Sequence, residues 1–334
     1  MSKKNTQPCC EKFKTMIGGQ ALIEGIMMRG PSKDAIVIRN GDELTLECTP
    51  RKVHPKGSFA SLPFIRGCVN FFDSQVTGVK ALMRSADLSA DEPTDVSSSK
   101  FDLWLEKKLG NELFQKALIG FAVALGLGLS IVLFFLLPMI VSSFLDRWIP
   151  NLLVLNLIEG LVRLVIFVVY MILVSRMNEM RRVFSYHGAE HKTIRCYEAG
   201  LELTIENVRK QTRLHPRCGT SFLLIVMVIS ILVFSVASSG LLTLVPALET
   251  MRGNFLYRFI MIIFKLLLLP LVVSITYEIN RFAGRHDGRF TKILTAPGMW
   301  FQNFTTNEPD DSMIEVAIAA VKAVLPEEEG QDRW

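Results

Sequence analysis

Long apolar stretches dominate the hydrophobic pattern of this 334-residue chain. No charged residue occurs in 117–145 or in 222–248, and 151–175 and 255–277 contain only isolated charges. A helix needs about 20 apolar residues to cross a bilayer. The pattern therefore predicts a membrane region, residues 101–279, with four spanning helices at about 117–140, 152–175, 221–245 and 255–277.

Shorter patterns precede the spans. The stretch AIVIRNGDELTLEC (35–48) alternates around Asn40-Gly41, a turn-forming pair, and predicts a β-hairpin. Residues 62–87 carry apolar side chains at helical spacing and predict an amphipathic helix on the inner membrane surface. A soluble helix packed on the hairpin is the alternative. The apolar positions of this helix are Val69, Phe72, Val76, Val79 and Met83.

The tail after the fourth span, residues 280–334, predicts one helix at about 312–325. Ser312 and Glu315 have the spacing of a capping box, and Pro326 ends the apolar stripe. Ahead of the membrane region we expect a basic tail (1–16) and then the hairpin, the helix and a linker (17–100). The predicted fold class is a mainly α membrane protein, whose small α+β cytoplasmic domain comes from the N-terminal region, the central loop (176–219) and the tail.

The distribution of lysine and arginine predicts the orientation. The central loop carries nine of them, whereas the two outer loops carry only Arg147 and Arg252. Since no apolar core follows the basic start, we expect both termini and the central loop on the cytoplasmic side. The net charge of +5 then reflects the excess of lysine and arginine on the cytoplasmic side. The sequence contains no nucleic-acid-binding module, so we expect the arginines of the central loop to contact anionic membrane lipids.

Six cysteines would lie in the reducing compartment, where disulfides are unfavoured and a cysteine serves as a thiol or a metal ligand. They are Cys9, Cys10, Cys48, Cys68, Cys196 and Cys218.

Three charged residues lie deep inside the predicted spans, whereas Arg258 lies just inside the start of the fourth. Glu159 and Arg163 lie one turn apart in the second span, and Lys265 lies at similar depth in the fourth. Charges in a bilayer are costly and are usually paired or functional. We expect a buried ion-pair cluster that sets the register of two helices; a polar pathway or an intramembrane substrate site is the alternative.

The central loop contains the candidate chemistry. In YHGAEHKT (186–193), His187 and His191 are four residues apart, so one helix face presents both to a single metal ion. Glu190 completes the H-x-x-E-H order of a zinc hydrolase motif in which the glutamate is the general base. Gly188 argues against a regular helix at this point.

A second pair of potential ligands, His215 and Cys218, follows in LHPRCGTS (214–221). With four ligands a tetrahedral zinc site would be closed and structural, whereas three would leave a position open for water, which Glu190 could activate. Other carboxylates could replace a ligand, namely Glu198, Glu202 or Glu278. Cys218 could instead act as a nucleophile with His215, or the histidines could be ordinary exposed residues.

Several motifs resemble the YqhQ-like family of bacterial multi-pass membrane proteins, a domain of unknown function described as a predicted metal-dependent enzyme. The matching stretches are GGQALIEGIMMRGP, PFIRG, YHGAEHKTIRCYE, HPRCGTSFL, YEINRFAGR and LTAPGMWFQNFTTNEPDDSMIEVAI. The resemblance implies a bacterial cytoplasmic (inner) membrane location, and it places Glu24 and Arg29 among the motif residues, with Glu278 in YEINRF.

Two functions remain open at the level of sequence. The first is a metal-dependent enzyme, a hydrolase with zinc as the expected cofactor, acting at the cytoplasmic membrane face through Glu190 and the histidine and cysteine ligands. The second is a non-enzymatic factor in membrane-protein biogenesis or quality control. Its metal or polar cluster would be structural, and its basic inner face would dock other membrane proteins, a translocon or a ribosome.

Overall fold

A computed structural model describes residues 12–51, 57–89, 111–149, 151–251, 254–286, 288–328 and 330–333. Most of the predicted basic tail, including Cys9 and Cys10, and most of the predicted linker lie outside the described residues. So do Arg252 and residues 101–110 at the start of the predicted membrane region. The protein is mainly helical, with one small antiparallel sheet near the N-terminus.

The sheet contains four strands in the order β1-β2-β3-β4, each antiparallel to the next. They are β1 (Gly18–Leu22), β2 (Gly25–Arg29), β3 (Lys33–Asn40) and β4 (Glu43–Pro50). The predicted hairpin is confirmed as β3–β4. Asn40 pairs with Glu43, so Gly41 and Asp42 form the turn, and Gly41 has the positive φ of 58° that the turn requires. The sequence did not predict β1 and β2.

The helices follow the sheet along the chain. A short 3-10 turn (Phe59–Ser61) leads into α1 (Ile65–Ser89), and a π-helical segment (Val132–Leu136) joins α2 to α3. The remaining helices are α2 (Asn111–Ile131), α3 (Leu137–Leu145), α4 (Leu152–Val174), α5 (Asn178–Glu198), α6 (Ile205–Arg209), α7 (Gly219–Leu244), α8 (Ala247–Thr250), α9 (Phe255–Arg285), α10 (Arg289–Thr305) and α11 (Asp311–Val324).

Four helical segments are long and apolar enough to cross a membrane, as the hydrophobic pattern predicted. They are Gly120–Leu145, Leu152–Val174, Gly219–Leu244 and Phe255–Arg285. The last continues eight residues beyond its predicted end at 277, because the polar turns that follow Tyr277 remain helical. This composition indicates a membrane protein.

The described residues form two compact units. The first contains those of the ranges 1–91, 170–230 and 264–334, and the second those of 92–169 and 231–263. In the first unit, one face of the sheet packs on α5 and α11 through a buried apolar cluster. Its members include Ile26, Met28, Val37, Tyr186, Ile194, Val316, Ala320 and Val324.

The predicted C-terminal helix is therefore a core element of the first unit. It begins at Asp311 and ends at Val324, close to the expected bounds. The expected cap at Ser312 is wrong: Asp310 caps the helix by accepting a hydrogen bond of 2.9 Å from the backbone N–H of Met313. Asp310 accepts as well from the hydroxyl of Ser312, at 2.6 Å, which removes Ser312 from the capping role.

The opposite face of the sheet carries α1. Gly78 of α1 lies so close to Gln20 that a Cβ would collide with its side-chain oxygen, and Ala81 packs on Leu22 and Met27. The small residues thus face the sheet, whereas most of the predicted apolar stripe, including Phe72, is exposed. The amphipathic helix is present and packs on the sheet that contains the hairpin, as the alternative expected, and its location on a membrane surface stays a prediction.

In the second unit, Glu159 and Arg163 form an ion pair of 2.9 Å along α4. Arg163 also donates to the carbonyl oxygen of Phe134 at 2.9 Å. The same arginine therefore contacts a carboxylate of α4 and a backbone carbonyl of the π-helical segment. Lys265 belongs to the first unit, so the three-residue cluster stays a prediction.

Candidate metal centre

Helix α5 carries the H-x-x-E-H motif inside what the sequence indicated as a loop. His187, Glu190 and His191 share one buried face of this helix. Gly188, which seemed to oppose a helix, is required by packing: a Cβ at this position would collide with the carbonyl oxygen of Asn307. The N–H of Asn307 donates to the carbonyl of Phe184 at 2.9 Å, so the segment after α10 lies directly on α5.

The ring of His187 is oriented by the end of α10. Its Nδ1 lies 2.8 Å from the carbonyl oxygen of Thr305. A carbonyl only accepts hydrogen bonds, so Nδ1 carries a proton and donates. The opposite nitrogen, Nε2, lies 3.2 Å from Sγ of Cys218, the residue immediately before α7. The ring therefore presents Nε2 to the cysteine sulfur.

His191 is held in the same way by a different backbone carbonyl. Its Nδ1 lies 2.6 Å from the carbonyl oxygen of Arg213, which again fixes the proton on Nδ1. Its Nε2 is buried and has no hydrogen-bond partner among the described residues. A buried nitrogen without a partner is costly, and two backbone-oriented Nε2 atoms on one helix face are typical of metal ligands.

The three ligand atoms converge. The ligand nitrogens of His187 and His191 and the sulfur of Cys218 lie within 4.8 Å of one another, and all three residues are buried. Zinc–nitrogen and zinc–sulfur bonds are about 2.0–2.3 Å long, so one ion between these atoms can reach all of them after small adjustments. The residues present thus fit a metal ion.

Glu190 lies beside this group, and its two carboxylate oxygens differ in their hydrogen bonds. Its Oε1 accepts a hydrogen bond of 2.9 Å from the backbone N–H of Gly19, on the edge strand β1. Gly19 must be glycine, because a Cβ there would lie 2.6 Å from the carbonyl oxygen of Met27. The second carboxylate oxygen, Oε2, is buried and has no partner among the described residues.

Burial and charge act against each other in this group. Burial opposes ionisation of Cys218, but the two adjacent histidines outweigh it and hold the pKa of the thiol well below its usual range. Burial likewise opposes a charge on His187, yet the cysteine sulfur raises its pKa to about 9. Burial raises the pKa of Glu190. The lowered pKa of Cys218 favours the thiolate, the form that binds metal.

His215, the fourth predicted ligand, lies outside the group. Its Nε2 is 3.2 Å from Oε2 of Glu198, whose two oxygens also accept from Arg217 at 2.5 Å. Burial lowers the pKa of His215 to about 4, against the pull of Glu198. Its ring is therefore neutral and donates from Nε2 to the carboxylate. The backbone of His215 is fixed by Gln302, through bonds of 2.8 and 2.7 Å.

The carboxylates considered as replacement ligands are placed elsewhere. Glu198 belongs to the His215 cluster, and Glu202 is exposed. Glu278, in α9, accepts a bidentate pair of hydrogen bonds from Arg66 of α1. The structure thus brings together His187, His191 and Cys218 and leaves these three carboxylates in other contacts.

The two N-terminal motif residues connect elements around the site. Glu24, with a φ of 51° between β1 and β2, pairs with Arg182 and accepts from the hydroxyl of Tyr186 at 3.2 Å. Arg29, in β2, pairs with Asp73 of α1 at 2.6 Å and with Asp34 of β3 at 3.4 Å. Glu24 thereby ties the sheet to the metal-site helix.

Sequence reasoning missed the groups that orient the site. These are the backbone carbonyls of Thr305 and Arg213, the N–H of Gly19 and the side chain of Gln302. Backbone groups carry no residue-specific signal. The glycine pair Gly18-Gly19 was visible in a quoted motif, and Gln302 was part of another, but neither pattern indicates its partner.

Comparison with known proteins places the chain among relatives of undescribed activity. A family model described as "Protein of unknown function (DUF1385)" matches residues 62–327. The chain is 31% identical over 318 residues to "Uncharacterized protein YqhQ" of Bacillus subtilis (strain 168). That match covers 94% of this chain and 93% of the relative. No solved structure matches the chain.

Proposed function

Because this chain belongs to the DUF1385 family, whose description names no activity, we propose a function from its site: a metal-dependent hydrolase that uses zinc. The observation that carries the proposal is the combination of three converging ligand atoms with a buried carboxylate oxygen that has no partner among the described residues. Structural zinc sites use four protein ligands, whereas catalytic sites use three and keep one position open.

The donor set favours zinc. Two imidazoles and one thiolate are the nitrogen and sulfur ligands that zinc prefers, whereas magnesium and calcium take oxygen ligands. His187, His191 and Cys218 would hold the ion, and a bound zinc ion would supply Lewis-acid polarisation at the open position. His215 is not part of the converging ligand group.

Glu190 is the proposed general base. Its Oε1 is fixed by Gly19, so Oε2 is held in a defined position beside the ligand group. Burial raises the pKa of this carboxylate, which brings it closer to neutral pH and improves it as a proton acceptor. Glu190 would accept the proton of the attacking water and deliver it to the leaving group.

We propose that the site faces the cytoplasm of a bacterial cell. The four apolar helices support a membrane location, and the lysine and arginine bias supports placing the central loop inside. Docking of a translocon or ribosome is the other proposal, but no contact favours it. Arginines of the central segment pair within the first unit: Arg182 with Glu24, Arg209 with Asp311 and Arg217 with Glu198.

The test is a comparison of Glu190→Gln with Glu206→Gln, a change at an exposed residue of α6. Each full-length protein is purified in detergent and loaded with zinc. Metal is measured by mass spectrometry, and hydrolysis is measured on a panel of chromogenic phosphate esters, carboxylic esters and amides. We expect Glu190→Gln to retain zinc and lose at least about 100-fold in turnover, since general bases contribute about that much.

Glu206→Gln should change neither quantity. A Glu190→Gln protein that hydrolyses its substrate as fast as the wild type would remove Glu190 from the mechanism. A wild-type protein that takes up no zinc would remove the metal centre altogether, and with it the hydrolase.

A further inference from the structure

A cavity of about 220 Å³ opens beside the metal-ligand group, within the first unit. Glu190, His191 and Cys218 form part of its wall. Another part is formed by Arg29, Arg51 and Ser74, from the sheet and α1. One water occupies about 30 Å³ in the liquid, so the cavity has room for several waters or a small chemical group, but not for a folded partner.

The arginines of this wall differ in how their charge is balanced. Arg29 is engaged by Asp34, Asp73 and the hydroxyl of Ser74, at 3.4, 2.6 and 2.9 Å. A third cavity arginine, Arg217, pairs with Glu198. Both of these guanidinium groups therefore already have carboxylate partners.

Arg51, which directly follows β4, has no such partner. Its side chain makes one hydrogen bond, from Nη1 to the carbonyl oxygen of Gly30 at 3.0 Å. No carboxylate among the described residues forms an ion pair with it. Burial and the positive charge of Arg29 lower the pKa of Arg51, against the smaller opposing effect of the carboxylates of Asp34 and Asp73. A guanidinium has five N–H donors, and that of Arg51 lines the same cavity as Glu190, His191 and Cys218.

We propose that this cavity is an oxyanion subsite, in which Arg51 binds a phosphate or carboxylate group of the substrate while the reacting bond lies at Glu190. The proposal rests on the hydrolase function proposed above, and it names the substrate class as an anionic one. Guanidinium groups bind such oxyanions through paired, charge-assisted hydrogen bonds. An anion would supply the direct ion-pair partner that no described carboxylate provides for Arg51.

A glycine in the cavity wall, Gly18, allows a second, independent test by substitution. Gly18 also lines the cavity, and a Cβ at Gly18 would meet no atom within 4 Å. A side chain can therefore be introduced there without a collision. Gly18→Asp would place a negative charge in the subsite, and Gly18→Asn would place a neutral group of nearly the same shape.

The experiment measures binding of inorganic phosphate to the full-length, metal-free protein by calorimetry. Five variants are compared with the wild type: Arg51→Gln, Arg51→Lys, Gly18→Asp, Gly18→Asn and, as a control, Arg84→Gln. Arg84 lies on α1 and pairs with Glu47, away from the cavity. We expect Arg51→Gln and Gly18→Asp to weaken phosphate binding about tenfold or more, the size of a lost charge-assisted bond. Arg51→Lys should weaken phosphate binding less than Arg51→Gln, because lysine keeps the positive charge but lacks the paired N–H donors of the guanidinium.

Arg84→Gln should bind phosphate within about twofold of the wild type. Gly18→Asn should weaken phosphate binding less than Gly18→Asp does, because it adds the same bulk to the subsite without the charge. Wild-type protein that binds no phosphate would overturn the proposal. So would Arg51→Gln and Gly18→Asp proteins that bind it as the wild type does. The Gly18 pair keeps the test decisive if Arg51→Gln fails to fold.

The source of the oxyanion is resolved by the lipid used. Phosphate binding is repeated in nanodiscs of phosphatidylglycerol and of phosphatidylcholine. Weaker phosphate binding in phosphatidylglycerol identifies a lipid headgroup as the occupant, and equal binding identifies a soluble anion; both results support the subsite. Zinc binding without Arg51-dependent phosphate binding would leave the metal centre and remove the subsite, whereas the reverse result would leave the subsite and remove the enzyme.

Discussion

Two buried glutamates of α5, Glu190 and Glu198, differ in how completely their oxygens are used. They lie eight residues apart, about 12 Å along the helix, and both are almost fully buried. Both oxygens of Glu198 are taken by His215, Arg217 and the N–H of Thr15. Glu190 has one hydrogen bond, from Gly19, and one buried oxygen without a partner among the described residues.

We interpret the difference as one between a structural cluster and the proposed reactive one. A fully satisfied carboxylate stabilises the residues around it, whereas an unsatisfied buried oxygen costs free energy of folding. Such an oxygen persists where a ligand, ion or substrate supplies the missing contact. The same distinction applies to the histidines: Nε2 of His215 donates to a carboxylate, and Nε2 of His191 has no described partner.

The strongest test of this contrast is metal affinity. His191→Ala should lower zinc affinity more than about 100-fold, because loss of an outer-shell partner alone costs about 10–100-fold. His215→Ala should leave zinc affinity within a fewfold of the wild type. Zinc competition with a fluorescent chelator measures both. Equal losses in the two variants would mean that His215 is a ligand, and the centre would then be a closed four-ligand site.

The second test compares the two glutamates in stability. Glu198→Gln should destabilise the metal-free protein by about 3–5 kcal/mol, because it removes the negative charge that pairs with the largely buried guanidinium of Arg217. Glu190→Gln should cost less than about 1 kcal/mol or should stabilise the protein, since it removes an unsatisfied charge. The free energy of unfolding in denaturant gives both numbers. The contrast is broken if Glu190→Gln proves the more destabilising change.

The smallest expected effect tests the packing that orients His187. Gly188→Ala should cost about 1–3 kcal/mol, the usual penalty for overpacking, because its methyl group would collide with Asn307. Gly126→Ala is the matched control, since a Cβ at this helical glycine meets nothing within 4 Å. Thermal unfolding measures the two changes. If the Gly188→Ala protein is as stable as the Gly126→Ala protein, the segment after Thr305 can move away from the added methyl group at little cost in free energy.

Local patterns predicted the elements of this fold better than their partners. The four apolar segments, the hairpin at Asn40-Gly41, α1 and α11 were predictable because hydrophobic period and turn chemistry are properties of neighbouring residues. The strands β1 and β2 were missed, since their glycines weaken the strand signal and the side chains of β2 are buried on both faces, so that they do not alternate between apolar and polar. Helix α10, which carries the carbonyl of Thr305, was missed as well.

The candidate site was predictable as a set of residues but not as a geometry. The spacing of His187, Glu190 and His191 indicated a shared helix face, and the structure places all three on α5. Whether His215 or another group completes the set depends on Glu198, and no sequence pattern links those two residues. Arg51 belongs to no sequence motif. It stands out only in the structure, where described carboxylates form ion pairs with Arg29 and Arg217 but not with Arg51.

The contacts that orient α5 come from opposite ends of the chain. Gly19 is 171 positions before Glu190, and Thr305 is 118 positions after His187. A ribosome therefore releases the helix, the cysteine and the first strand well before it synthesises the carbonyl that aligns His187. Chains that end before Thr305 lack that carbonyl, so we expect only completed molecules to align His187 and assemble the candidate metal centre.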